Sequence, residues 1–151
     1  MSASSPSRAA PAGPDFARPI LKYIAPRRNI PGVAAGHLVV GRRGERLACR
    51  FLLARGFDVV ARRFRGRAGE IDLVGFDGET LVFVEIKTRA SREFGHPWEF
   101  VDWEKQRRLV ATAQEFIARY DLGQYGYRFD IVSVVAPSTA EEEIVLYRNA
   151  F

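Results

Sequence analysis

Leu81-Val82-Phe83-Val84 is apolar at four consecutive positions, and Glu85-Ile86-Lys87 continues it without a break. Successive side chains of a strand point to opposite faces, so a run without a polar member has to be covered on both sides. The segment is therefore expected to be a central strand of a sheet with other elements packed above and below. The charges that prolong it are constrained too, because Glu85 and Lys87 lie two residues apart and share one face.

A second tripeptide of the same kind, Glu70-Ile71-Asp72, stands upstream in an apolar stretch and is separated from the first by an Asp77-Gly78 turn signal. If the two strands pair through that turn, Glu70, Asp72, Glu85 and Lys87 form a cluster of carboxylates with one lysine. The flanking segments complete an α/β pattern. Val40, Leu47, Ala48, Phe51 and Leu52 recur at helical steps between about Leu38 and Arg55, with Gly56 as the stop. Phe57 to Phe64, Glu70 to Phe76 and Leu81 to Thr88 read as strands. Asp102 is the expected N-cap of a second helix with Leu109, Ala113, Phe116, Ile117 and Tyr120 as its stripe and Gly123 after its end. Phe129 to Val135 and Ile144 to Tyr147 read as closing strands. The predicted order is α-β-β-β-α-β plus a final strand, around a mixed central sheet flanked by helices.

Composition bounds what such a fold can do. A chain of 151 residues with 47% apolar content suffices for one core. The segment 1–35 holds six of the eight prolines and five basic groups against one acid, so it is expected to be a disordered basic extension, leaving 36–151 as the folded domain. No stretch approaches the ~20 apolar residues of a membrane span, so no membrane partner is expected. Cys49 is the single cysteine, which excludes an internal disulfide and a cysteine-based zinc site and points to the cytoplasm. With only His37 and His96 besides, any metal should be oxygen-ligated. The net charge of +5 is unevenly spread: residues 42–67 carry nine arginines against Glu45 and Asp58, a basic flank beside the acidic cluster.

Hard divalent cations bind carboxylates on rigid neighbouring strands while keeping several waters, which leaves room for a phosphate oxygen. Asp72 and Glu85 are the best such ligands, for Mg2+ or Mn2+. Lys87 would face the same phosphate or the attacking water. Glu45, at the edge of the first helix's apolar stripe, is expected to face the sheet; on its own helix only Arg42 could pair with it, so a metal or a metal-bound water would serve as partner. The alternative is a set of cross-strand ion pairs on a solvated face. The apolar surroundings of Glu85 and Lys87 argue against it, because buried charges persist only when paired or metal-bound. No phosphate-binding glycine loop, nucleophile elbow or hydrolase triad is present.

Gly44-Glu45, Gly69-Glu70-Ile71-Asp72-Leu73, Phe83-Val84-Glu85-Ile86-Lys87-Thr88-Arg89, Phe94-Gly95-His96-Pro97, Lys105 and Arg128-Phe129-Asp130 resemble, in this order, the motifs of the YraN family. These are bacterial proteins related to Holliday-junction resolvases and other restriction-endonuclease-like nucleases. The resemblance spans about Gly41 to Val135 and implies a PD-(D/E)xK core. It makes Asp72 and Glu85 the metal-binding acids, Lys87 the catalytic lysine, Glu45 the helix-borne acid and Glu70 a supporting one. It implies a divalent-metal-dependent endonuclease acting on branched or recombining DNA, working as a homodimer on symmetric junctions. Arg42, Arg43, Arg89 and Lys105 are the expected nucleic-acid contacts, with solvated charge as the plainer reading. Trp98 and Trp103 are expected to cover a core edge rather than stack on bases, and Asp130 to orient Arg128 or anchor the fold. The other function that the residues allow is a non-catalytic nucleic-acid-binding module on the same scaffold.

Overall fold

The computed structural model describes residues 35–91, 99, 101–137 and 139–151, with side chains from residue 41 onward. Residues 1–34 of the expected extension, His96, Trp98 and the side chain of His37 lie outside these residues, while residue 35 already belongs to the first helix. The elements are helix α1 (Ala35–Leu53), strands β1 (Asp58–Arg65), β2 (Glu70–Asp77) and β3 (Thr80–Arg89), helix α2 (Trp103–Arg119), and strands β4 (Tyr127–Val135) and β5 (Glu143–Tyr147). This is the expected α/β order. Among the described residues no helix is long and apolar enough to cross a membrane.

The five strands form one sheet in the order β1-β2-β3-β4-β5. All neighbours are antiparallel except β3 and β4. A parallel pair needs a crossover, and α2 supplies it. Leu81 to Val84 are at most 1% exposed, as a strand covered on both faces must be. The two faces carry separate cores. One holds Ala48, Cys49 and Leu52 of α1 against Leu73, Val82, Val84, Val132 and Val134. The other holds Leu109, Ala113 and Phe116 of α2 against Ile71, Phe83, Phe129 and Ile131. Aromatic rings dominate the second: Phe116 meets Phe64 and Phe83 edge-on at 4.9 and 5.9 Å.

Both helices end and begin for local reasons. Gly56 adopts φ 84 after α1, and Phe57 N–H donates to the Leu52 carbonyl at 3.1 Å, a glycine-terminated stop. Asp102 caps α2 by accepting from Lys105 N–H at 2.7 Å. The left-handed residue after α2 is Asp121, φ 52, two positions before the expected Gly123. Aspartate tolerates that region better than most side chains.

Side-chain alternation on the β1–β2 pair slips beside Asp72, in addition to the register shift between Val59 and Ala61. Arg62 pairs with Leu73 and Phe64 with Ile71, which sets Arg63 opposite Asp72. Arg62 and Leu73 face α1, with the Arg62 guanidinium on Cys49 Sγ, whereas Phe64 and Ile71 both lie in the α2 core. Two residues that should point the same way point oppositely on each strand. Arg63 carries the slip on β1 with a left-handed φ of 51. Asp72 carries it on β2.

Candidate active site

The β2–β3 ladder runs from Asp77 opposite Thr80 to Leu73 opposite Val84 and stops there. One step further, Asp72 turns its carboxylate to β3, and Oδ2 accepts the Ile86 backbone N–H at 2.8 Å. A side chain thus replaces the ladder where the strands part. Burial pushes the Asp72 carboxyl up to about 7; repulsion from Glu85 adds to this, the Ile86 hydrogen bond opposes it, and Glu45 raises it further.

Glu85 is 5% exposed and sits on the α2 face of β3 beyond Phe83. Its Oε1 is shared by two ammonium groups. Lys87 Nζ lies 2.9 Å away, from the same face of the same strand. Lys105 Nζ, from the first turn of α2, donates to the same oxygen. Burial works against the charged form of Lys105, but the Glu85 carboxylate outweighs it and holds the ammonium above the ordinary lysine value. Asp72, Glu85, Lys87 and Lys105 therefore form one connected group of charges at the fork.

The remaining expected residues divide. Glu45 lies near enough to repel Asp72, but its Oε1 accepts from Arg63 at 3.0 Å. Its partner here is an arginine of β1, brought within reach where the strand takes its left-handed step. Among the described residues no three Asp, Glu, His or Cys side chains are grouped to hold a cation. The expected convergence of Glu45 with Asp72 and Glu85 is not found. Glu70 pairs across the β1–β2 hairpin with Arg65, 2.5 Å away on a largely exposed edge. Arg42 and Arg43 are exposed on α1, and Arg89 ends β3, its carbonyl accepting from Ala136 N–H at 2.8 Å. Trp103 does not cover a core edge: it is 73% exposed. Its neighbours Asp102 and Glu104 are exposed as well, so the first turn of α2 offers the indole no apolar seat.

Lys105, expected from the sequence as a nucleic-acid contact or a solvated charge, is instead a partner of Glu85. The signal that could have promoted it is topological. A crossover helix after a parallel strand starts near that strand's C-terminal end, where Glu85 and Lys87 lie.

Asp130 has the anchoring role. It is fully buried and accepts from Arg128 Nε at 2.9 Å and from Asn149 N–H at 2.9 Å, while Arg128 also donates to Asp77 at 2.7 Å. This network ties the β2–β3 turn to the C-terminal segment, where the Phe151 ring stacks 4.8 Å from Phe129.

The family described as "Uncharacterised protein family UPF0102" matches residues 44–134. A "UPF0102 protein" of Solibacter usitatus is 49% identical over 113 residues, covering 74% of this chain and 84% of its own length. One from Caldicellulosiruptor bescii is 47% identical over 115 residues, covering 74% and 96%. Another from Symbiobacterium thermophilum is 45% identical over 112 residues, covering 74% and 95%. The matched span holds Glu45, Asp72, Glu85, Lys87 and Lys105 together, and the chain belongs to the UPF0102, or YraN, family.

Proposed function

We propose that this protein is a divalent-metal-dependent endonuclease, hydrolysing phosphodiester bonds of DNA. The observation that carries the reading is the pair of carboxylates, half-buried Asp72 and buried Glu85, at a strand fork with Lys87 on the second of them. Two carboxylates are a sufficient protein donor set for Mg2+, which keeps waters and takes substrate phosphate oxygens in its remaining positions. The raised Asp72 carboxyl supports the fit, because a group destabilised by a neighbouring carboxylate is one that a cation would relieve.

In this reading Asp72 and Glu85 hold the ion, which would supply positive charge to the phosphate being attacked. The Ile86 N–H fixes the direction of Asp72. Lys87 orients Glu85 and brings an ammonium to the phosphate oxygens, where negative charge develops. Glu45, held by Arg63, contributes negative potential. The arginines of α1 and β1 supply the attraction for the backbone of the nucleic acid, and the motif resemblance to resolvase-related nucleases directs attention to branched DNA.

Cleavage of linear, single-stranded and four-way-junction DNA in Mg2+ or Mn2+ tests the proposal. Asp72→Ala and Lys87→Ala should each reduce the rate by about 10²-fold or more. No cleavage by the unmodified protein, or cleavage that survives both substitutions, overturns it.

The two ammonium groups on Glu85 favour one other reading, a module whose carboxylates are neutralised internally and which binds nucleic acid without cutting it. That protein would bind DNA without divalent metal and would keep its affinity in Asp72→Ala.

A further inference from the structure

Lys87 and Lys105 meet the same carboxylate oxygen but are not equivalent. Lys87 is fixed by strand spacing, two residues from Glu85 on one face. Lys105 arrives from another element on a long flexible stem, and its side chain is 32% exposed. Lys105 is the more open of the two to solvent and the one that does not share a strand with Glu85.

We propose that Lys105 is a displaceable counter-ion of Glu85 that couples cation binding to the arrival of a phosphodiester. The inference rests on Asp72 and Glu85 being the cation ligands. A divalent cation approaching Glu85 meets two ammonium groups already on Oε1, and like charges in a poorly hydrated site repel strongly. A phosphodiester offers Lys105 another anionic oxygen of the same hardness. When Lys105 transfers to it, Oε1 is relieved of one ammonium and the phosphate charge compensates the cation. Cation and phosphodiester then each strengthen the binding of the other, as reciprocity of coupled equilibria demands. Lys105 is on this account a positioning residue, acting through Glu85.

The full chain is titrated calorimetrically with Mn2+, alone and with a four-way-junction DNA whose phosphorothioate linkages resist hydrolysis. For the unmodified protein the DNA should tighten Mn2+ binding about tenfold. Lys105→Met should bind Mn2+ about tenfold tighter than the unmodified protein without DNA, and DNA should add little further. Lys105→Arg, which keeps the charge, should retain the unmodified pattern. Should Lys105→Met fail to fold by thermal unfolding, Lys105→Gln is read in its place, since its amide still donates to Oε1 without a charge. Mn2+ affinity and DNA enhancement unchanged in the uncharged variant overturn the coupling while leaving Asp72 and Glu85 as ligands. Mn2+ binding that neither the Asp72→Ala nor the Glu85→Ala variant weakens, or no Mn2+ binding at all, overturns the ligand assignment and the coupling with it.

Discussion

The Asp72 carboxylate takes the Ile86 backbone N–H at 2.8 Å, one residue beyond the last ladder pair of β2 and β3. A half-buried acid is thereby fixed between two strands that would otherwise have closed over its position. The bond favours the ionised form, yet burial and Glu85 prevail and the carboxyl is displaced upward to about 7.

That displacement has a sign in stability. The folded chain binds the Asp72 proton more tightly than the unfolded chain, so this contribution is full below the ordinary carboxyl value of 3.8 and is lost as pH rises through about 7. Asp72→Asn keeps an oxygen to accept from Ile86 and removes the titration. It should be more stable than the unmodified protein at about pH 8, by on the order of 2 kcal/mol, and equal to it near pH 4. Thermal unfolding across this range measures the difference. Equal pH profiles for the two proteins would refute it.

Glu85 pairs with two ammonium groups from inside the protein. Glu85→Ala leaves both without their shared acceptor and should cost about 3 kcal/mol or more. The double variant Glu85→Ala/Lys105→Met should recover part of that loss, because the half-buried ammonium goes too. Denaturant unfolding of the single and double variants checks it, and additivity of the separate losses would contradict the shared pairing.

Gly44 marks the closest approach of α1 to the sheet. A Cβ built there would lie 1.9 Å from Thr88 Oγ1 and 2.8 Å from its Cγ2. Gly44→Ala should therefore force the helix off β3 and lower stability by ~1–3 kcal/mol. Thr88→Ala in the same chain removes both of these atoms and should restore part of it. A thermal midpoint unchanged by Gly44→Ala would show that the helix has room to move.

Asp130 is buried within β4 opposite Val84 of β3, bonded to Arg128 and to the backbone of Asn149. Asp130→Ala should destabilise by about 3–5 kcal/mol, as removal of one partner from a buried ion pair does. Where the variant folds, its Mn2+ affinity should equal that of the unmodified chain. A selective loss of metal binding at full stability would instead give Asp130 a place in the site.

The elements were legible because their signals are local. The apolar run at Leu81 to Val84, the Asp102 cap and the Gly56 stop each lie within a few residues of what they determine. Glu85 and Lys87 were legible for the same reason, since two-residue spacing already assigns a face, whereas Asp72 sits where the alternation of β2 slips and turns to β3 for a reason that no spacing announces. What escaped depends on contacts between elements. Counting partners along α1 gave Glu45 only Arg42, while its partner is Arg63, whose left-handed backbone no pattern in the sequence announces. Trp103 follows a strong capping signal, and a helix start says nothing about whether the indole beside it finds an apolar neighbour. Lys105 needed the parallel β3–β4 pairing before its reach to Glu85 could be seen.

The slip at Arg63 and Asp72 has a consequence away from chemistry. β1 is an edge strand, and a straight edge offers its unpaired amides and carbonyls to any other extended chain. This edge carries a register shift between Val59 and Ala61, a left-handed residue at Arg63, and exposed arginines at positions 62, 63 and 65. A second strand laid along it would lose step with the hydrogen bonds and meet a row of positive charge. The distortion that turns Asp72 towards β3 thus also protects the sheet from growing at its β1 side, and a repair that straightened the strand would trade away solubility along with the fork.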